Sequence, residues 1–410
     1  MKGRSSGAVA VLLLATVSST AWSAAEDAGR DINIQLKPVT VSAKLGGRIH
    51  FDGSLVDVDE DAAFGSVSSE NDGFFFRRIR LMVKGKVGSW EYRLGVEGAP
   101  SNATGSSRNT FQDVYLAHEL GPGQLIFGQR RPFRGMEELT SSNDVTMMER
   151  PFASAAGVFA GGRSREFQLG VFYKGTFLQR GTYGFGAYSL RRENTPSTPG
   201  TGANGRLSYA PRLGARSMLH FGVSYSIEKP DGLNNDDDAG ELGTRAVYAG
   251  RRGPNIVLGT TAEFDDANTL GLEFAAQSGP LSLQSEYMSQ TLGQGDSGPD
   301  QTVDAYYVQL SWMLSGETKP YKFDKGVYGS PEPAGSRGAF ELAARYDYAD
   351  NGDSVAAPEA EAISLGLNWY ARKNVRFMLN YVSGMAEQTL DGQRVRDEPG
   401  SVSMRAQISF

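Results

Sequence analysis

Residues 74–87, FFFRRIRLMVKGKV, alternate oily and cationic side chains almost one for one. Read with a period of two, Arg78, Arg80, Lys84 and Lys86 share one face, while Phe75, Ile79, Leu81, Val83 and Val87 share the other. Four cations on one side of a strand must reach water. The opposite side must reach something apolar, and whether that is a protein core or lipid decides the fold.

The same alternation recurs past residue 44. In WEYRLGVEG (90–98), Trp90, Tyr92, Leu94 and Val96 oppose Glu91, Arg93 and Glu97. In LHFGVSYSIE (219–228), Leu219, Phe221, Val223, Tyr225 and Ile227 oppose His220, Ser224, Ser226 and Glu228. The last ten residues, SVSMRAQISF, alternate throughout. These segments run about nine to thirteen residues, enough for a tilted strand to cross a bilayer.

Tight connections at 88–89, 121–123, 278–280 and 372–374 alternate with long ones at 53–73, 99–109, 131–163, 193–204, 229–240, 291–301, 350–360 and 384–400. Short turns at one end and long loops at the other imply a transmembrane antiparallel β-barrel with periplasmic turns and extracellular loops. One connection, 315–336, is long yet falls at the short-turn end. Trp90, Trp312 and Trp369 all lie beside turn-end connections, as a lower aromatic girdle requires. Eighteen candidate segments can be counted, an even number as closure demands. A soluble β-sandwich or propeller would use shorter strands and turn its polar residues outward.

Composition narrows the classes further. There are 51 Gly among 410 residues, hydrophobic residues make up 40%, and mean hydropathy is −0.36. Cysteine is absent, which removes disulfides, thiolate nucleophiles and Cys-ligated metals. Residues 1–23 read as an export signal, with Lys2 and Arg4, then an apolar run, then AWSAA. Residues 24–44 are expected to form a short periplasmic segment and residues 45–410 the barrel. The formal net charge of −6 argues against a nucleic-acid partner. His50, His118 and His220 fall in three separate segments without diagnostic neighbours, so no catalytic constellation, metal site or cofactor is expected. The acidic runs DVDED (57–61) and NNDDD (234–238) lack calcium-loop spacing and read as solvated loops.

The chain resembles the phosphate-selective porin O/P family of bacterial outer membranes. The resemblance rests on GGRIHFDG (46–53), FFFRRIRLMVKG (74–85), FGQRRPFRGMEELTSSNDVTMMERPF (127–152), SGETKPY (315–321) with GAFELAARYDYAD (338–350), and SMRAQISF (403–410). It implies a homotrimer of sixteen-stranded barrels, each with an arginine-lined lumen narrowed by an inward-folded third loop. Sixteen strands are therefore favoured over eighteen. The family's first-strand arginine matches Arg48, its arginine pair matches Arg77 and Arg78, and its loop elements match Thr140, Ser141, Ser142, Glu149 and Arg150. Where phosphate-binding members carry a constriction lysine two residues before TSS, this chain has Glu138.

The parity argument alone also predicts a pore. Arg48, Arg78, Arg80, Lys84, Lys86 and Arg93 line one wall, and loop 131–163 brings Arg131, Arg134, Arg150 and Arg163, with Arg130 and Arg165 flanking it. Like charge crowded in a narrow channel concentrates counter-ions, here small inorganic or organic anions. Guanidinium forks suit phosphate, with Ser141 and Ser142 sharing acceptor oxygens. Arg77 falls on the lipid parity and is expected at the rim. Glu137, Glu138 and Glu149 either select ions or pair with Arg131, Arg134 and Arg150 to lock the loop. The expectation is an outer-membrane diffusion channel for small anions, phosphate or polyphosphate among them. The alternative is a general porin of weak or cationic preference, because Glu138 stands near the narrowing.

Overall fold

The structure, a computed structural model, describes residues 31–36, 39–57, 72–99, 110–154, 167–190, 200–230, 244–259, 266–293 and 298–410. The signal segment, the acidic run 234–238, residues 58–61 of the other acidic run, Arg163 and Arg165 therefore lie outside the described residues.

Sixteen antiparallel strands form the wall. They are β1 (Val39–Asp57), β2 (Gly73–Val87), β3 (Trp90–Glu97), β4 (Thr110–Leu120), β5 (Gly123–Arg130), β6 (Gln168–Phe177), β7 (Gly181–Ser189) and β8 (Gly200–Tyr209). The second half comprises β9 (Ser217–Pro230), β10 (Asp266–Ser278), β11 (Leu281–Gly293), β12 (Gln301–Met313), β13 (Ala339–Asp350), β14 (Glu359–Arg372), β15 (Val375–Leu390) and β16 (Gly400–Ser409). Each pairs with its sequence neighbours, and β1 pairs with β16 from Arg48↔Ser409 to Asp57↔Gly400, which closes the barrel. The seam is finished by two backbone hydrogen bonds between Gly47 and Phe410, at 2.9 and 3.1 Å. A side chain at Gly47 would collide with the Phe410 ring and the Arg80 carbonyl. The strand backbone begins before residue 45, since Val39–Lys44 already pairs with a short segment, Asp31–Leu36.

The alternation resolves as lipid outside and water inside. On β9, Phe221, Val223, Tyr225 and Ile227 are 42–49% exposed, whereas His220, Ser224, Ser226 and Glu228 are at most 5% exposed. A water-soluble sandwich would show the reverse. Trp90, Trp312 and Trp369 stand exposed at the turn end, where Trp90 stacks on His118 and Trp369 lies between Phe340 and Phe377. Gly88, Gly121 and Gly279 supply the positive φ that tight hairpin turns need.

Two alternating segments are not wall. Thr244–Val247 and Asn255–Gly259 pair only with each other, and counting them as strands would give eighteen. They lie in the connection between β9 and β10 and fold inward. Ala246, Tyr248, Ile256 and Leu258 pack with Met288, Val303, Ala305, Tyr307, Ala349, Ala360, Ala362 and Ala386 on the inner wall. The small lumenal side chains leave room for that backbone. At Gly384, any Cβ would strike the Tyr248 carbonyl.

The long turn-end connection, 314–338, also turns inward. Its short hairpin, Tyr321–Lys322 with Val327–Tyr328, buries Val327 and Tyr328 against Met136, Met218, Ala210 and Ala275. Inward-folded segments thus enter from both ends of the barrel and pack mainly on β8–β16.

Candidate functional site

The connection between β5 and β6 carries a four-residue helix, α1 (Met136–Leu139). The wall residue Glu286 accepts both the Met136 and Glu137 backbone N–H groups, each at 2.7 Å, and Tyr307 donates to the same carboxylate at 2.7 Å. The two backbone donors pin the start of α1 to β11, and Tyr307 of β12 steadies the carboxylate that holds them. Beyond it, residues 141–149 lie against the wall under arginines that donate into the loop. Arg376 donates to the Val145 and Thr146 carbonyls at 2.7 and 3.0 Å. Arg405 donates to the Met148 carbonyl at 2.7 Å while gripping Asp52 with two bonds of 2.7 Å. Arg345 reaches the Glu149 carbonyl at 3.0 Å.

Several expected site residues meet here. Arg48 donates to Ser141 Oγ at 3.2 Å and Ser142 Oγ at 2.7 Å, which joins the first strand to the loop's TSS element. Arg80 pairs with Glu97 at 2.5 Å, and Arg78 stands 3.7 Å from the same carboxylate. Arg93 pairs with Asp113 at 3.0 Å. Lys84 and Lys86 are exposed toward the turn end and share the parity of Arg80.

The expectation for Arg77 is corrected. The β1–β2 register slips between His50 and Phe51, so His50 faces Arg78 while Phe51 faces Phe76, and Arg77 becomes the extra residue of a β-bulge. The bulge reverses parity above it. Phe74 and Phe76, at 70% and 44% exposure, take the lipid side. Phe75, expected toward lipid, instead lies under the Arg252 guanidinium at 4.3 Å. Arg77 turns inward and clasps Glu149 with two bonds of 2.8 and 2.9 Å. Burial alone would raise the Glu149 carboxyl, but Arg77, with Arg405 and Arg251, outweighs it and holds the group well below the usual carboxylate range.

The loop glutamates divide differently from the expected pairing. Arg134 pairs with Glu228 of β9 and also reaches Tyr188 Oη. Arg150 donates to the Glu137 and Thr140 carbonyls and stands 3.9 Å from the Glu137 carboxylate. Arg131 donates to the Glu138 carbonyl. The Glu138 side chain has no exposed surface, and neither oxygen meets a hydrogen-bond donor. Burial raises its carboxyl against the pull of Arg134, Arg131 and Arg150.

Between this loop and the early strands lies a cavity of about 550 Å³. Its lining includes Arg48, Arg80, Arg93, Arg130, Arg131, Lys174, Arg206, Lys322 and Lys325, against Glu91, Glu119, Asp113, Asp144 and Asp324. Thr140, Ser141 and Ser142 form one edge. Sequence parity alone did not bring in Lys322, Lys325 or Arg206, because the hairpin that carries or contacts them sits on the turn side of the chain. The unusual length of that connection was the available signal.

A barrel with a greasy exterior and a constricted polar interior defines the class of molecule as an outer-membrane porin. The chain belongs to the family described as "Phosphate-selective porin O and P", which it matches over residues 43–410. It is 28% identical to Porin O of Pseudomonas aeruginosa over 451 aligned positions, covering all of both chains. It is also 28% identical to an uncharacterized Caulobacter vibrioides protein over 359 positions, covering 83% of this chain and 68% of that protein. Among solved structures, the anion-selective porin from Comamonas acidovorans superposes with a TM-score of 0.58 at 14% identity, covering 90% of this chain and 100% of that one. The DcaP channel of Acinetobacter baumannii gives 0.55 at 12% identity, covering 90% and 97%.

Proposed function

We propose that the protein is a passive channel preferring small anions, with phosphate-type oxyanions as its fitting solutes. One observation carries this. The whole chain is acidic, at −6, yet nine cationic side chains face the constricted cavity against five acidic ones. Charge of one sign in a narrow, low-dielectric passage raises the local concentration of the opposite ion. Arg48, Arg78, Arg80 and Arg93 serve as wall guides, Lys84 and Lys86 gather anions at the turn-end mouth, and Ser141 and Ser142 offer hydroxyls to an oxyanion passing Arg48. Arg131, Arg134 and Arg150 hold the constriction loop in shape, Arg131 also presenting charge to the passage. Glu138, the ground for expecting weak or cationic preference, has no exposed surface and is not among the cavity's lining residues. The working form is a homotrimer, in keeping with the family resemblance.

In a planar bilayer under a KCl gradient, the zero-current potential should take the sign set by chloride. Added phosphate should then reduce the chloride current. A potential of cation-selective sign overturns the proposal, and chloride current indifferent to phosphate overturns its oxyanion part.

A further inference from the structure

The constriction loop and the turn-end hairpin meet at the loop tip, and most of the bonds between them converge on one carboxylate. Asp144 accepts Lys322 Nζ at 2.5 Å through Oδ2, and Ser330 Oγ and N at 2.8 and 3.2 Å through Oδ1. Ser330 Oγ also reaches the Asn143 carbonyl at 2.9 Å. One turn further along, Lys319 Nζ bonds Thr146 Oγ1 and pairs with Glu341 at 2.8 Å. The hairpin is fixed on its far side by Arg206, which donates to the Lys325 and Gly326 carbonyls, and by Gln277, which donates to the Lys319 carbonyl.

Asp144 and Lys322 both line the cavity, as do Ser141 and Ser142. The Lys322 side chain is 37% exposed and that of Asp144 11%. The pair therefore sits on the rim of the passage, with its cation toward the water. Arg48 lies close enough for Asp144 to act on its charge.

We propose that Asp144 is a positioning residue for permeation. It latches the constriction loop, which enters from one face of the membrane, to the hairpin entering from the other, and holds Lys322 neutralised at the rim. The inference rests on the channel reading above but separates from it in the test. Width is set by the joined segments, and anion preference by how much of the Lys322 and Arg48 charge Asp144 offsets.

The chain has no cysteine, so introduced thiols report without interference. In the full-length protein reconstituted in lipid, the Asp144→Cys/Ser330→Cys pair should cross-link under mild oxidation and shift gel mobility after heating, and failure to cross-link overturns the latch. Asp144→Asn should raise the anion-to-cation permeability ratio about twofold and increase open-channel noise, because a neighbouring cation loses its counter-charge. An unchanged ratio and noise in Asp144→Asn overturns the proposal. A wild-type channel of cationic preference that still cross-links removes the anion reading and leaves the latch standing.

Discussion

Single arginines in this lumen serve one of two ends, and the partner tells which. Arg405, Arg376 and Arg345 spend their donors on loop carbonyls and buried carboxylates, so they act as staples. Arg48 does both, since it bonds two hydroxyls of the loop and also lines the passage. Glu138 illustrates how far a position in sequence is from a position in space. The residue type and its place before the TSS element suggested an acid at the narrowing, whereas its carboxyl is sealed among Arg131, Arg134 and Arg150. An acid whose folded-state pKa is raised destabilises the fold increasingly as pH climbs from the ordinary carboxylate range through the raised value, and costs nothing below that range. Glu138→Gln should therefore raise the midpoint of heat modification at about pH 8, with the gain fading toward about pH 4. Glu138→Lys would add a fourth cation to a sealed site and should cost about 2 kcal/mol or more. A stable Glu138→Lys channel with quiet, more anion-selective currents would mean that the side chain reaches the pore.

At the level of elements, period-two alternation made the strands legible because the two faces of each meet different solvents. It could not show where that period breaks. One extra residue at Arg77 leaves composition untouched but flips every side chain above it, and only the pairing register between His50 and Phe51 reveals the slip. Inward-folded hairpins were likewise hidden, because Thr244–Val247 and Asn255–Gly259 alternate as wall strands do. Their docking surface did leave a trace. Ala305, Ala349, Ala360, Ala362 and Ala386 are apolar and small at positions where a water-facing wall should be polar. Such a stripe marks where another backbone lies against the barrel. Ala360→Leu/Ala386→Leu should crowd the hairpin out of its seat and raise single-channel conductance, while the barrel still shows its heat-modifiable gel shift. Unchanged conductance would mean that the inner hairpin does not limit the passage.

For the molecule as a whole, the overall charge and the local charge point in opposite directions, and the local one governs permeation. Composition alone reads as an acidic exported protein. Only the folding of 131–154 and 314–338 against the early strands gathers Arg48, Arg80, Arg93, Arg130, Lys174 and Lys325 around one cavity. Closure and the aromatic ring at the turn end were readable beforehand, because lipid imposes them on every strand alike, whereas alternation alone gave eighteen segments and only the family resemblance favoured the sixteen of the wall. The composition of the constriction was readable only in part: Arg48, Arg80, Arg93, Arg131, Ser141 and Ser142 were named from sequence, whereas Lys174, Arg206, Lys322 and Lys325 come to the cavity through long-range docking that no local pattern encodes. All of it presupposes that alternate residues of one strand meet lipid and water, a premise the cysteine-free chain makes directly measurable. Single cysteines at Ile79, Arg80, Leu81, Val83, Lys84 and Lys86, treated with a charged water-soluble thiol reagent during bilayer recording, should split by parity. Modification at positions 80, 84 and 86 should reduce the current, while 79, 81 and 83 should stay silent. Equal reactivity on both faces, or reactivity confined to the odd-numbered positions, would contradict the barrel and the channel with it.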